Sequence, residues 1–151
     1  MSPLEKVRIT SLEIFLNWLD RLTPRRRREP PHLATGRRGE RAAFFHLRRL
    51  DFVVTAQGWR TPKAHGDLDL IAWDNDVLCF VEVKTRTTRA VAPAEAAVDT
   101  DKKRMLRKMA HHYLRQLPNR DVPVRFDILS IYLEAGSSAE FTLFRGAFGW
   151  Q

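Results

Sequence analysis

Residues 66–86 read Gly66-Asp67-Leu68-Asp69-Leu70-Ile71-Ala72-Trp73-Asp74-Asn75-Asp76-Val77-Leu78-Cys79-Phe80-Val81-Glu82-Val83-Lys84-Thr85-Arg86. Two apolar-rich runs flank Asp74-Asn75-Asp76, a tight-turn composition. The stretch therefore predicts a hairpin of strands 67–73 and 77–85. Side chains alternate faces along a strand. Asp67 and Asp69 then share a face opposite Leu68 and Leu70, and Glu82 and Lys84 share a face opposite Val81 and Val83. If Asn75-Asp76 is a two-residue loop, Trp73 pairs with Leu78, Ile71 with Phe80 and Asp69 with Glu82. Directly opposed side chains have Cβ atoms about 5 Å apart. An odd loop would split the two carboxylates between faces unless a bulge restored them.

Two carboxylates that close repel at neutral pH unless one is protonated or a cation bridges them. Mg²⁺ takes oxygen ligands, typically one or two carboxylates with phosphate and waters, and Mn²⁺ suits the same donors. Such an ion polarises a phosphodiester and lowers the pKa of bound water. Lys84, two residues along on the same face, would reach that water or the charge developing on the phosphate. The plainer reading is a solvated Glu-x-Lys ion pair on an outer face, with Asp69 a surface aspartate. The apolar neighbours on both sides of Asp69 and Glu82 favour strands buried on both faces, where an unpaired carboxylate needs a partner or an ion.

The chain around the hairpin is strongly basic. Its 151 residues carry 26 Lys+Arg against 18 Asp+Glu, for a net charge of +8. Residues 21–49 hold ten cations against Glu29 and Glu40, and residues 84–120 hold ten cations against three carboxylates. Between them, residues 50–83 hold six carboxylates and two cations. An acidic centre between basic flanks suits a divalent ion beside a phosphate backbone, although turn and surface carboxylates would give the same count. One cysteine, Cys79, excludes a disulfide scaffold and a four-cysteine zinc site, and suggests a reducing, cytoplasmic compartment. No apolar run is long enough to span a membrane, and no Gly-rich phosphate loop supports an NTPase reading.

One globular domain is expected at this length. Ser2 to Leu22 reads as an amphipathic helix with Leu12, Phe15, Leu19 and Leu22 on one face. Pro24 to Pro31 is a basic linker, which sets residues 1–31 apart from a domain of residues 32–151. A second helix is expected from about Gly36 to Leu50, its apolar face made by Ala43, Phe44, Leu47 and Leu50. Glu40 then points to the buried side. A strand over Phe52–Ala56 ends at Gly58, and a loop covers Thr61 to Gly66. After the hairpin come a helix from about Asp99 to Leu117, a strand over Val124–Leu133 and a short strand over Phe141–Arg145. The order helix, three strands, helix, strand makes an α/β fold, one sheet with helices packed on it. His65 reads as a surface loop residue, and His111-His112 lacks a second cluster for zinc. Cys79 reads as a buried thiol, and Trp73 as core.

These residues resemble a known family. Gly36-Arg37-Arg38-Gly39-Glu40-Arg41-Ala42-Ala43, Gly66 to Ile71, Phe80 to Arg86 and Phe126-Asp127-Ile128-Leu129 are similar to motifs of the YraN-like family of uncharacterised bacterial proteins. The resemblance covers roughly Ala34 to Leu133. It departs from the family at Asp67, where a Glu is usual, and at Gly58, where an Asn is usual. It implies a restriction-endonuclease-like core, a mixed central sheet flanked by helices and distantly similar to archaeal Holliday-junction resolvases. It further implies that Asp69, Glu82 and Lys84 form an Asp…Glu-x-Lys nuclease triad, with Glu40 a further metal ligand and Arg86 near the phosphate.

The expectation is thus a Mg²⁺- or Mn²⁺-dependent endonuclease acting on DNA, including branched or single-stranded forms. Asp69, Glu82 and Glu40 would hold the metal and Lys84 would orient the attacking water. Backbone contacts would come from Arg37, Arg38, Arg60, Arg86, Lys102, Lys103, Arg104 and Lys108. The alternative is a nucleic-acid-binding or scaffold protein on a nuclease fold that cleaves nothing. A homodimer would suit symmetric cutting of two strands, and a protein partner could dock on the N-terminal helix.

Overall fold

Asn75 adopts the left-handed conformation at φ 53°, which Asn tolerates, and this closes a two-residue loop. The hairpin that results is the centre of the structure. The computed structural model describes residues 12, 13, 16, 31–88, 98–134 and 136–150. Their elements run α1 (Pro31–Arg49), β1 (Val53–Thr61), β2 (Ala64–Asp74), β3 (Val77–Arg86), α2 (Thr100–Leu114), β4 (Val124–Tyr132) and β5 (Glu140–Phe148). The five strands form one mixed sheet in the order β1-β2-β3-β4-β5. β1, β2 and β3 make an antiparallel meander, β3 and β4 are parallel, and β5 returns antiparallel to β4. A parallel neighbour requires a crossover, and α2 supplies it.

The register of β2 and β3 is the one expected from the turn as far as Leu70–Val81; the expected Asp69–Glu82 pair is not in the ladder, and Leu68 and Leu70 pack on opposite faces because alternation breaks at Asp69. Trp73 faces Leu78, Ile71 faces Phe80 and Leu70 faces Val81. The sheet separates two apolar clusters. Leu78, Phe80, Phe126 and Ile128 pack against Leu106, Met109 and Ala110 of α2. Leu70, Val81, Leu129 and Ile131 pack against Ala43 and Leu47 of α1 and against Phe52. Each fully buried side chain of this size stabilises the fold by about 1.5–3 kcal/mol. Both faces of β3 are therefore covered, as the apolar flanks of Glu82 suggested.

Several boundaries differ from expectation, for identifiable reasons. α1 starts at Pro31 rather than Gly36, because proline fits the first helical turn, where its missing N–H costs no bond. It ends at Arg49, so Leu50 falls in the turn and is 42% exposed, while Phe45 is buried instead. The turn is closed by Asp51 at φ 68° and by the Phe52 N–H donating to the Leu47 carbonyl at 3.0 Å, a left-handed helix end. β1 continues through Gly58, at φ 53°, to Thr61, and β2 begins at Ala64. Register shifts between Val54 and Ala56 and between Trp59 and Thr61 absorb the irregularity. The expected loop thus shrinks to Pro62-Lys63. α2 is capped by Asp99, whose carboxylate accepts the Lys102 N–H at 2.8 Å. The last strand is longer than Phe141–Arg145 because it pairs along β4, from Tyr132–Glu140 to Phe126–Phe148.

Most of the expected helix Ser2–Leu22 and the basic linker lie outside the described residues. Within that helix Leu12, Glu13 and Leu16 are helical; Glu13 pairs with Arg49, and the Leu16 carbonyl accepts from Arg41 at 3.4 Å.

Candidate active site

Four elements meet where the β2–β3 ladder ends. The last Cα pair is Leu70–Val81. Just beyond it, the N–H of Val83 donates to Oδ2 of Asp69 at 2.8 Å. A side chain thus takes a main-chain donor of the neighbouring strand, which ties the Asp69 carboxylate to β3 beside Glu82.

Two glycines set the helices around this point. A Cβ on Gly39 of α1 would lie 1.7 Å from Oγ1 of Thr85, so only glycine allows α1 to approach β3 so closely. A Cβ on Gly66 of β2 would lie 2.4 Å from Sδ of Met105, and Gly66 also holds φ 103°. The first contact brings Glu40 to the site and the second brings in the start of α2.

Glu82 is 3% exposed. Its Oε1 accepts from Lys84 Nζ at 2.8 Å and makes an ion pair with Lys102 Nζ at 3.1 Å. Its Oε2 is buried and has no hydrogen-bond partner among the described residues. A buried oxygen left bare is rare, because the water it lost is not replaced. Asp69 answers the same crowding. Burial first, and then the charge of Glu82, push its carboxyl up to about 7, against the pull of the Val83 N–H and of Lys102. Glu40 is also raised, by burial and then by Asp67, with Glu82 adding to it and Arg60 and Arg37 opposing.

The donors fit a hard divalent cation in part. The bare Oε2 of Glu82 and the carboxylate of Asp69 are the two oxygen ligands that Mg²⁺ or Mn²⁺ typically takes from protein. Glu40 was expected to point inward. It is instead exposed on α1, and among the described residues no three His, Cys, Asp or Glu side chains gather into a metal-binding group. Glu40 acts on Asp69 through its charge, which raises that carboxyl further.

Residues 39–131 match the model of the uncharacterised protein family UPF0102. The chain belongs to this family. It is 50% identical over 120 residues to a UPF0102 protein of Koribacter versatilis (strain Ellin345), covering 80% of this chain and 82% of the relative. A UPF0102 protein of Solibacter usitatus (strain Ellin6076) is 43% identical over 129 residues, with 85% and 93% covered. One of Porphyromonas gingivalis (strain ATCC 33277) is 39% identical over 109 residues, with 72% and 78% covered. UPF0102 is the YraN family that the motifs resembled.

In this UPF0102 chain the cations expected to meet nucleic acid divide by surroundings. Lys102 turns into the site. Lys103 lies over the Phe148 ring at 5.8 Å, and Arg104 pairs with Asp101 at 2.9 Å. Arg60 pairs with Asp67 at 2.9 Å, an exposed contact of little energetic weight. Arg37, Arg38 and Lys108 are exposed, and Arg86 shares the face of Glu82 and Lys84 by strand alternation. Trp59 meets Tyr113 edge-on, centroids 5.4 Å apart, so it packs against α2. Among the described residues no helix is long and apolar enough to cross a membrane.

The contact of Lys102 with Glu82 was not readable in sequence, where Lys102 was one cation in a basic run. Asp127 was matched only as part of a strand. It is fully buried, and its two oxygens take Arg125 Nε (2.8 Å), Arg125 Nη2 (3.0 Å) and the Gly146 N–H (2.8 Å). Arg125 also reaches Asp74 at 2.8 Å. Cys79 is buried as expected, its thiol pushed up to about 12 by burial and then by Asp127, which suits an inert group.

Proposed function

We propose that this chain is a divalent-metal-dependent nuclease that hydrolyses phosphodiester bonds of DNA, on a restriction-endonuclease-like core. The observation that carries the reading is the bare, buried Oε2 of Glu82 beside Asp69, with Lys84 on the other oxygen. A protein gains nothing in stability from such an oxygen, so a ligand is its natural partner. Asp69 and Glu82 would hold Mg²⁺ or Mn²⁺, with Glu40 adding negative charge nearby. When bound, the ion polarises the phosphodiester and lowers the pKa of water.

The side chains do the rest. Lys84 Nζ, anchored on Glu82, orients the attacking water and meets charge on the phosphate. Arg37, Arg38, Arg86 and the exposed cations of α2 line up the backbone around the acidic pair. A divalent cation at the pair would lower the Asp69 carboxyl, which burial and then the charge of Glu82 hold high.

The test is cleavage of labelled duplex, single-stranded, flap and four-way-junction DNA in Mg²⁺, Mn²⁺ or EDTA, beside Glu82→Ala and Lys84→Ala. Metal-dependent cutting that both variants lose supports the reading. A second reading, a nucleic-acid-binding protein that cuts nothing, is favoured by Glu40 standing outside a three-ligand group. It predicts binding without cutting on every substrate.

A further inference from the structure

Lys102 and Lys84 divide one oxygen of Glu82 between them while the other oxygen stays bare. Two ammonium groups thus already stand at one oxygen of Glu82, beside the oxygen where a cation would bind. A divalent cation on the bare oxygen would add a third positive group there, and the repulsion falls on the ammonium groups.

The two lysines differ in how they can yield. Lys84 rises from β3, opposite Ser130 of β4, two residues from Glu82 on the same face. It holds the tighter contact with Glu82, a hydrogen bond at 2.8 Å. Lys102 makes the looser ion pair, at 3.1 Å, from the first turn of α2, where its main-chain N–H is held by the Asp99 cap. The two side chains are equally exposed, so the longer contact on a fixed backbone marks Lys102 as the one to turn. Of its neighbours, Lys103 lies over Phe148 and Arg104 is exposed beside Asp101, and neither is paired with Glu82.

We propose that Lys102 is a metal-gated phosphate contact. Without a divalent cation its ammonium is tied to Glu82; with one at the Asp69–Glu82 pair it turns to a non-bridging oxygen of the nucleic-acid backbone. The proposal rests on the metal-site reading above and gives the basic end of α2 a conditional role.

The test measures DNA binding, so it does not depend on cutting. Anisotropy titrations of a labelled DNA duplex and a labelled four-way junction are run in EDTA and in Ca²⁺, a hard cation that takes the same oxygen ligands. Wild type, Lys102→Ala, Lys102→Gln and Lys102→Arg are compared across a salt series, with thermal melts to show that each variant is folded. Wild type should bind about tenfold more tightly in Ca²⁺ than in EDTA. Lys102→Ala and Lys102→Gln should match wild type in EDTA within about twofold and lose most of the Ca²⁺ gain, and Lys102→Arg should keep it. In Ca²⁺ alone, the slope of log K against log salt should fall by about 1 on removing Lys102, the signature of one lost phosphate contact.

Equal weakening in both buffers would make Lys102 an ordinary standing contact and overturn the gating. No change in either buffer, or no effect of Ca²⁺ on wild type, would leave it a structural partner of Glu82 and overturn the proposal outright. Cleavage in Mg²⁺ and Mn²⁺ is scored on the same DNAs. A Ca²⁺-dependent slope change without cleavage keeps the gate and sinks the nuclease reading. Cleavage with no slope change does the reverse.

Discussion

Glu82 on β3 and Asp127 on β4 lie on adjacent parallel strands, both buried, and only Asp127 has both oxygens hydrogen-bonded. Asp127 closes a network with Arg125 and the Gly146 N–H, next to the register shift between Phe126 and Ile128. Glu82 leaves Oε2 without a donor although two ammonium groups stand at Oε1. The contrast separates a carboxylate with both oxygens satisfied from one with an oxygen left over, which the proposed function assigns to a cation.

Removing Asp127 should therefore unfold the protein more readily. Asp127→Ala strips Arg125 of two hydrogen bonds and orphans the Gly146 N–H, although Arg125 keeps Asp74. Breaking a buried pair this way costs about 3–5 kcal/mol. A urea melt of the variant should show a midpoint far below wild type, with a slope little changed. A midpoint near that of wild type would mean that the network contributes no net stability.

Glu82→Gln should behave differently. It should abolish any gain in melting temperature from Mg²⁺ or Mn²⁺, because a cation that binds only the folded state stabilises it by mass action and Gln is a poor ligand. DNA binding in EDTA should stay equal or tighten, since a negative charge beside the phosphates is lost. Lys84→Ala should keep the metal response and lower kcat by about 10²–10³-fold, the usual cost of one charge-stabilising group.

The pH dependence of stability should carry the mark of Asp69. Its carboxyl is raised from 3.8 to about 7 in the folded chain, by burial and then by Glu82. A group raised in the folded state stabilises when protonated. That contribution is complete below the unfolded pKa and is lost as pH rises through the folded one. Stability should fall from about pH 4 to pH 7 on this account, and Asp69→Asn should flatten the fall and melt higher than wild type at pH 8. Melting curves across that range decide it; an unchanged profile in Asp69→Asn would remove Asp69 as the source.

Gly39→Ala tests the approach of α1 to β3. The new methyl would meet Oγ1 of Thr85 at 1.7 Å and its Cβ at 2.8 Å. Overpacking of this kind costs about 1–3 kcal/mol, and α1 must shift, carrying Glu40 with it. Adding Thr85→Ala removes Oγ1 and Cγ2 but not Cβ, so the double variant should recover part of the lost stability. Full recovery would show that the main chains are not in close approach.

The hairpin was legible in the chain because it is local. Asp74-Asn75-Asp76 sets a two-residue loop, and the loop sets the register as far as Leu70–Val81. Beyond it the expected Asp69–Glu82 pair gives way to the bond from the Val83 N–H to Asp69, and Leu68 and Leu70 pack into opposite clusters. The apolar flanks of Glu82 signalled a strand covered on both sides, and both clusters exist. Cys79 and Trp73 pack as their surroundings implied. Glu40 does not point inward, because the buried stripe of α1 runs through Gly39, Ala43 and Leu47 and Glu40 stands one position, about 100°, off it.

The sequence by itself determined the turn, the register and the charge pattern around an acidic centre, since these depend on residues a few positions apart. Only the tertiary structure decided that α2 returns Lys102 to Glu82, that Gly39 meets Thr85, and that Oε2 of Glu82 is left bare. Those facts depend on how a crossover helix and a parallel strand seat on the sheet, and main-chain approach between distant segments follows from packing of the whole core.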